Sequence, residues 1–209
     1  MAASAPHRAL PQHHRDDACK MTQLALFDER PAAGPDGLRY VGDFVSTEAE
    51  RELIAHIAKL PLKPFQFGAF AGHRQVKSFG FRYDYTVQRL TESDPIPDWL
   101  QTIAREVERF DELSEGSIRQ VLCTDYDVGV GIGWHRDKPH FDKVFGLSLA
   151  SPCRLRFRRR KGDGWERFAL NAAPRSLYRM EGEARHEWEH SIPAVERRRY
   201  SVTFRTMKR

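Results

Sequence analysis

The chain has 209 residues, of which 40% are apolar and 30% are charged, and its formal net charge is +5 at neutral pH. This length favours one sizeable core over two full domains, and the positive charge favours a polyanionic partner such as nucleic acid. No apolar run approaches the ~20 residues that cross a bilayer and no signal core follows the first charges, so we expect a soluble, cytoplasmic protein and, by default, a monomer.

The chain begins with a segment of mixed composition. Residues 1–22 combine Ala, Pro, His and charged residues without periodicity, which is typical of a disordered tail. The three cysteines, Cys19, Cys123 and Cys153, are too far apart to form a CxxC pair, so they predict neither a zinc ribbon nor a redox centre. We therefore expect one folded domain over residues 23–209.

Two amphipathic helices are predicted in the first half of this domain. Residues 47–61 place Thr47 and Glu50 at capping-box positions, and apolar residues follow at helical spacing. Residues 97–110 begin with Pro97 at a first-turn position and show the same spacing. Each helix should therefore present one face to a core.

The pattern changes after Ser114 to short alternating or apolar runs that are separated by Gly, Pro, Asn and Asp. Several short strands with turn signals between them are typical of an antiparallel barrel or jelly roll. The sequence therefore predicts an α+β fold that is mainly β, in which two helices from the N-terminal half buttress one sheet.

The stretch GVGIGWHRDKPHFD places His135 and Asp137 two residues apart, so their side chains share one face of an extended strand. His186 or His190, both in HEWEHSIP, supplies a third donor. Two histidines and one carboxylate on one side of a metal form the arrangement of non-haem Fe(II) oxygenases. A zinc hydrolase site, or a histidine merely held by a neighbouring carboxylate, is the alternative.

The last strand supplies two arginines. In RYSVTFR, Arg199 and Arg205 lie six residues apart and therefore on the same face, together with Ser201 and Thr203. Inward arginines require anions, because an unpaired buried guanidinium is costly and its forked geometry suits a carboxylate. This pair would approach the two ends of a small diacid. An exposed basic strand is the alternative.

The order HRD, then the histidine of WEHSIP, then RYSVTFR resembles the AlkB family of Fe(II)- and 2-oxoglutarate-dependent dioxygenases, from about Tyr40 to Arg205. That family folds as a double-stranded β-helix, a form of jelly roll. The resemblance implies that His135, Asp137 and His190 hold the iron and form the catalytic centre. It also implies Fe(II) as cofactor, with 2-oxoglutarate and O2 as cosubstrates.

The same resemblance assigns residues to the cosubstrate. It implies that Arg199 pairs with the distal carboxylate of 2-oxoglutarate, that Arg205 lies near the carboxylate that chelates the metal, and that Tyr126 contacts the cosubstrate. Thr124 stands where many members have asparagine at a cosubstrate position. Pro139 stands where nucleobase demethylases often carry an acidic residue that reads the base.

Two segments carry candidate substrate contacts. Residues 65–85 interleave aromatic and basic side chains and resemble the substrate-recognition lid of the family, although a hairpin whose aromatic rings fill the core is the alternative. The candidate substrate residues in this lid are Phe67, Phe70, His73, Arg74, Phe79 and Tyr83. Residues 153–165, CRLRFRRRKGDGW, suit either an ordinary exposed hairpin or an edge that tracks phosphates.

The resemblance implies oxidative demethylation of N-alkylated bases in single-stranded or flipped-out DNA or RNA, as in alkylation repair, with release of formaldehyde, succinate and CO2. The same chemistry on transfer RNA or on a protein side chain is the alternative, because the Pro139 side chain cannot hydrogen-bond a base. A catalytically silent nucleic-acid-binding module is the alternative from another class.

Overall fold

Two facing antiparallel sheets form from the alternating runs of the sequence. The computed structural model describes Met1 and residues 34–67, 70–84 and 87–208, with the backbone alone at residues 67, 70 and 71. The predicted tail after Met1 and the predicted domain start at residue 23 lie outside these described residues. From residue 34 onward the description falls within one compact unit, Pro31–Arg209.

Strands dominate the second half of the chain, and the helices are short and few. The elements in chain order are β1 (Leu38–Val41), α1 (Thr47–Ala58), β2 (Lys63–Phe67), β3 (Phe70–Phe79), β4 (Phe81–Asp84), β5 (Arg89–Glu92), α2 (Asp98–Phe110), β6 (Ile118–Tyr126), β7 (Ile132–His135), β8 (Phe141–Leu149), β9 (Cys153–Lys161), β10 (Gly164–Ala172), β11 (Leu177–Met180), α3 (Gly182–His186), β12 (Glu189–Ile192) and β13 (Arg199–Met207).

The strand order shows how the chain winds. A major sheet has the order β1-β11-β8-β13-β6-β3-β2, a minor sheet has the order β10-β9-β12-β7, and β4 pairs with β5. From β6 onward the chain passes back and forth between the sheets, with β6, β8, β11 and β13 in the major sheet and β7, β9, β10 and β12 in the minor one. This winding is that of a jelly roll, and the fold prediction is confirmed.

The N-terminus of α1 differs from the prediction by one residue. Ser46, not Thr47, is the N-cap, and its hydroxyl accepts a hydrogen bond from the Ala49 amide at 3.1 Å. Glu50 does not close a capping box, because it is buried and its carboxylate accepts a hydrogen bond from the Ala150 amide at 2.8 Å. This contact ties α1 to the turn that follows β8.

Two apolar cores occupy the two sides of the major sheet. Both helices pack on its outer side, and Pro97 is the N-cap of α2 where the sequence suggested a first-turn position. The second core lies between the sheets and includes Leu155, Phe157 and Ile192 from the minor one. Within the described residues, no helix is long and apolar enough to span a membrane.

Candidate metal centre and cosubstrate pocket

Neighbouring strands of the minor sheet bring two histidines together. His135 ends β7 and is the register partner of His190 on β12, and their ring centroids are 4.2 Å apart. The rival third histidine, His186, is exposed on α3, where its carbonyl oxygen accepts a hydrogen bond from Arg136. Strand pairing, which a sequence does not display directly, therefore favours His190 over His186.

Asp137 lies two residues beyond β7 and faces the same interior. Its Oδ2 is 3.7 Å from Nε2 of His190, and its Oδ1 accepts a hydrogen bond of 2.8 Å from Nη2 of Arg205. The other terminal nitrogen of Arg205 donates to Oε1 of Gln120 at 2.7 Å. Arg205 thus orients the carboxylate from the opposite sheet.

The protonation states of the three side chains suit a metal. Burial lowers the pKa of His190 to about 3, and burial also lowers the pKa of His135, although the Asp137 charge partly opposes that shift. Burial disfavours the charged form of Asp137, but the Arg205 guanidinium holds the pKa of that carboxyl well below its usual range. At neutral pH the set is two neutral imidazoles and one carboxylate, the forms that bind a divalent ion.

These donors fit a first-row divalent ion in their chemistry. The His135 Nδ1–H donates to the Gly133 carbonyl at 2.9 Å, so the lone pair of Nε2 is free to bind a metal. Imidazole and carboxylate bind divalent metals at about 2.1 Å, so two ligands of one ion lie at most about 4.2 Å apart, a limit the His190–Asp137 distance satisfies. Among the described residues, no three His, Cys, Asp or Glu side chains are already gathered at ligand distance.

A buried side chain anchors the segment that carries Asp137. Nη2 of Arg185, on α3, donates to the backbone carbonyls of Lys138 and Phe141 at 2.6 and 2.9 Å. These bonds hold the chain between Asp137 and β8. Nothing in the local sequence around Arg185 indicated this role, because its partners are more than 40 residues away.

Among the residues that the structure describes, Arg199 has the largest fully buried side chain, with 0% of its surface exposed. Its Nε and Nη2 donate to the Ser148 hydroxyl at 3.3 and 3.2 Å, and its guanidinium lies 4.9 Å from the Tyr126 ring centroid. Its Nη1 has no hydrogen-bond partner among the described residues. A buried cation with an unused donor fits an anionic ligand, because burial without one is unfavourable.

A small inner pocket of about 50 Å3 lies between the sheets. His135, Asp137 and His190 line it, and hydroxyl-bearing side chains supply much of the remaining wall. Those hydroxyl-bearing residues are Thr124, Tyr126, Tyr178, Ser201 and Thr203. Thr124 and Tyr126, the two predicted cosubstrate contacts, thus both line this pocket.

Tyr178 was missed by sequence reasoning, and its position depends on a glycine. It is the register partner of Gly146 on β8, and a Cβ at Gly146 would lie 2.2 Å from the Tyr178 ring. Any larger residue at Gly146 would therefore displace the ring. The tyrosine occupies a buried pocket position that its own segment, SLYRM, does not reveal.

A wide cleft of about 1440 Å3 is also lined by His135 and Asp137. Arg74 and Tyr83 of the predicted lid line this cleft. Phe65, which begins the predicted lid, also lines it, and sequence reasoning missed Trp134 and Lys138 among the other wall residues. The cleft combines cations and aromatic rings, which suits a nucleotide.

The other lid candidates have different positions. Phe79 is 6% exposed and packs in the core under the helices, so its assignment as a base-stacking residue is wrong. His73 is exposed and does not line the cleft. The side chains of Phe67 and Phe70 lie outside the described residues. Both interpretations of residues 65–85 therefore hold in part, because some of these residues fill the core and others line the cleft.

Comparison with known proteins identifies the family. Residues 37–205 match the model of the 2OG-Fe(II) oxygenase superfamily. The chain belongs to this superfamily. Its members use Fe(II), 2-oxoglutarate and O2, and this chain is an AlkB-like dioxygenase, which confirms the resemblance, the enzyme class and the cofactors expected from the sequence.

Several curated relatives are AlkB-like proteins. It is 29% identical to the alkylated DNA repair protein ALKBH8 homolog of Arabidopsis thaliana, over 75% of this chain and 51% of that protein. It is 30% identical to the tRNA (carboxymethyluridine(34)-5-O)-methyltransferase ALKBH8 of Macaca fascicularis, over 78% of this chain and 25% of that protein. The match thus spans about half of the first relative and a quarter of the second.

Solved structures agree in fold. The structure of OsALKBH1 matches with a TM-score of 0.64 at 15% identity, over 82% of this chain and 97% of that one. A Trichoplax adhaerens prolyl hydroxylase matches with a TM-score of 0.60 at 12% identity, over 82% of this chain and 83% of that one. At such low identity these likenesses show the fold alone.

Proposed function

We propose that His135, Asp137 and His190 hold the iron, and that Arg199, which lies against Tyr126 of the inner pocket, binds the distal carboxylate of 2-oxoglutarate. The observation that carries this assignment is the fully buried Arg199 with an unused Nη1 donor, on the same face of β13 as the Arg205 that bonds Asp137. A diacid between these two arginines would reach both the metal site and the end of the pocket.

Each residue then has a physical task. When bound, the iron and 2-oxoglutarate supply oxidation of a C–H bond by O2, with succinate and CO2 as products. The protein orients the diacid through Arg199 and the pocket hydroxyls, keeps the Asp137 carboxylate ionised through Arg205, and shields the site between two sheets. His135 keeps its metal-binding lone pair inward through its bond to Gly133.

The substrate we propose is a modified base of RNA, with transfer RNA as the first candidate. The cleft wall carries Arg74 and Lys138 beside Tyr83 and Trp134, a mixture that suits a phosphate next to a stacked base. One relative carries a transfer RNA uridine in its name. Pro139 lacks the acidic group that reads alkylated bases in nucleobase demethylases, which also favours a different base.

Oxidative demethylation of N-alkylated bases in single-stranded DNA or RNA is the second candidate. The Arabidopsis relative, which is named as an alkylated DNA repair protein, favours it. The two candidates differ in outcome. A hydroxyl placed on an N-methyl carbon leads to loss of formaldehyde, whereas a hydroxyl placed on a carbon-linked substituent of uridine stays on the base.

Mass spectrometry separates these outcomes. The protein is incubated with Fe(II), 2-oxoglutarate and short single-stranded oligonucleotides that carry either 5-carboxymethyluridine or 1-methyladenine, beside a His135→Ala control. Gain of one oxygen atom on the uridine substrate supports the RNA modification proposal, and loss of one methylene from methyladenine supports demethylation. If the wild-type protein changes neither and consumes no more 2-oxoglutarate than His135→Ala, the assignment of the catalytic centre is wrong.

A further inference from the structure

The outer face of the minor sheet carries a row of arginines that the oxygenase reaction does not use. Residues on β9 alternate between the inter-sheet core, where Leu155 and Phe157 are fully buried, and the outside. We call the outward set the arginine face. It consists of Arg154, Arg156, Arg158 and Arg160 on β9, Trp165 and Arg167 on β10, and Trp134 on β7.

The face has a large excess of positive charge. Glu189 of β12 contributes a carboxylate to this face, and its Oε2 accepts a hydrogen bond of 2.7 Å from Nε of Arg158. Arg154, Arg160 and Arg167 are exposed and make no ion pair with any residue that the structure describes. Like charges on adjacent strand positions repel one another, so a surface of this kind is stabilised by an anionic partner.

Two tryptophans hold the guanidinium groups in place. The Trp134 ring centroid lies 4.4 Å from the Arg158 guanidinium and 5.0 Å from that of Arg156. The Trp165 ring centroid lies 4.2 Å from Arg158 and 4.5 Å from Arg160. Cation–π contacts restrict the arginine side chains before binding, so less conformational entropy is lost when they engage a phosphate.

The arginine face continues into the cleft. Trp134 belongs to this face, directly precedes His135 in sequence, and also lines the cleft. The four outward positions from Arg154 to Arg160 span about 20 Å at ~3.4 Å per residue, enough to follow several nucleotides. A nucleic-acid chain whose base enters the cleft would therefore pass over Trp134 and then over the arginines of β9.

We propose that the arginine face binds the phosphate backbone of the RNA whose modified base enters the cleft. This inference rests on the proposed function for its substrate class. Forked guanidinium groups in a row, repeated every second residue, suit successive phosphates, and the link through Trp134 joins the row to the reacting base. The face thus supplies affinity for a folded RNA, and the cleft supplies the choice of base.

The test compares two triple variants of equal charge change. Arg154→Glu/Arg160→Glu/Arg167→Glu alters three exposed arginines of the face. The matched control, Arg51→Glu/Arg105→Glu/Arg109→Glu, alters three exposed arginines on the helices. Binding of unmodified, folded transfer RNA is measured by fluorescence anisotropy over a series of salt concentrations, and turnover is measured on the short modified oligonucleotide at saturating concentration.

We expect the face variant to bind transfer RNA at least about 10-fold more weakly than the control. Its slope of log affinity against log salt concentration should also be smaller in magnitude by about two to three. Its turnover of the short oligonucleotide should match that of the control, because the cleft is intact. If the charge reversals impair folding, the corresponding glutamine variants of both triples give the same comparison with a smaller effect.

Equal transfer RNA affinity of the two triple variants would overturn the proposal, and it is the result expected if the face instead serves an acidic protein. Failure of the proposed function has a different signature. In that case the wild-type protein modifies no oligonucleotide, while the binding comparison between the two triples still decides whether the face holds RNA.

Discussion

The two faces of the minor sheet differ in almost every physical property, although the same strands build both. On β9, Phe157 is fully buried and its ring lies 6.2 Å from that of His190, whereas its neighbours Arg156 and Arg158 point outward and stack on Trp134. In the function we propose, the buried inner face holds the metal and a small diacid. The exposed outer face offers its positive charge to a large and flexible partner.

Because side chains alternate along a strand, one set of residues on β9 faces the proposed reaction site and the other faces the proposed RNA-binding surface. A substitution at an inner position alters the core packing and the site together, because the inner side chains contact both the core residues and the site residues. A change at an outer position leaves the core alone and acts through charge. The predictions below test this division, from the largest expected effect to the smallest.

The contrast is greatest between adjacent residues of β9. Phe157→Ala should lower the free energy of unfolding by about 3–5 kcal/mol, because it opens a cavity in the inter-sheet core. Arg156→Ala should cost only about 1 kcal/mol, since it removes one 3.0 Å hydrogen bond to Ser191 and a partly exposed stacking contact. Urea unfolding measures both, and equal costs would contradict the division between the faces.

Arg199→Met tests the proposed anion site beside Tyr126 of the inner pocket. Loss of its charge-assisted hydrogen bonds should weaken 2-oxoglutarate binding about 100-fold, equivalent to ~3 kcal/mol. The free energy of unfolding should stay equal or rise, because an apolar side chain replaces a buried charge that has no carboxylate partner among the described residues. Isothermal titration and urea unfolding provide the two measurements.

The exposed neighbour Arg197→Met is the matched control for this substitution. It should change neither cosubstrate affinity nor stability by a measurable amount. If Arg199→Met is as harmless to 2-oxoglutarate binding as Arg197→Met, the anion assignment fails.

Gly146→Ala tests the coupling between core packing and the inner pocket. The new methyl group would overlap the Tyr178 ring, so we expect a loss of about 1–3 kcal/mol in stability and weaker binding of 2-oxoglutarate. Gly42→Ala is the control, since a Cβ there meets no atom within 4 Å. Identical stability and cosubstrate affinity in the two variants would show that Tyr178 does not shape the pocket.

Arg154→Gln should have the smallest effect and only on the outer face. Stability should change by less than about 0.5 kcal/mol, because the side chain is exposed. The slope of log affinity for transfer RNA against log salt concentration should fall by about one, which reports a single lost phosphate contact. Arg51→Gln on α1 is the control, and an equal slope in both variants would remove Arg154 from the RNA-binding surface.

Most of the architecture could be predicted from the sequence, because the local periodicity of apolar residues indicates which segments form strands and helices and which face of each is buried. The period of two in RYSVTFR correctly places Ser201, Thr203 and Arg205 along the inner pocket, and Tyr200 in the core on the opposite face. On β6 the same period of two places Gln120 on the face of Thr124 and Tyr126. The prediction did not include Gln120, whose Oε1 accepts a hydrogen bond from Arg205.

Other features depend on contacts between distant strands and were not available from local patterns. Ser148 meets Arg199 across 51 residues, and Tyr178 fits only because Gly146 lies opposite. Phe79 was assigned to substrate because aromatic residues among basic ones suit both a core and a nucleotide, and only the packing of the helices on β3 decides between them.

The most direct test of the central claim is equilibrium binding of a redox-inert metal and of 2-oxoglutarate to the wild-type protein, Asp137→Ala and Arg199→Met. Mn(II) is titrated first, and 2-oxoglutarate is then titrated into the metal-loaded protein. The account predicts that Asp137→Ala loses the metal, and that Arg199→Met keeps the metal and loses 2-oxoglutarate. Undiminished metal binding by Asp137→Ala, or undiminished 2-oxoglutarate binding by Arg199→Met, would contradict it.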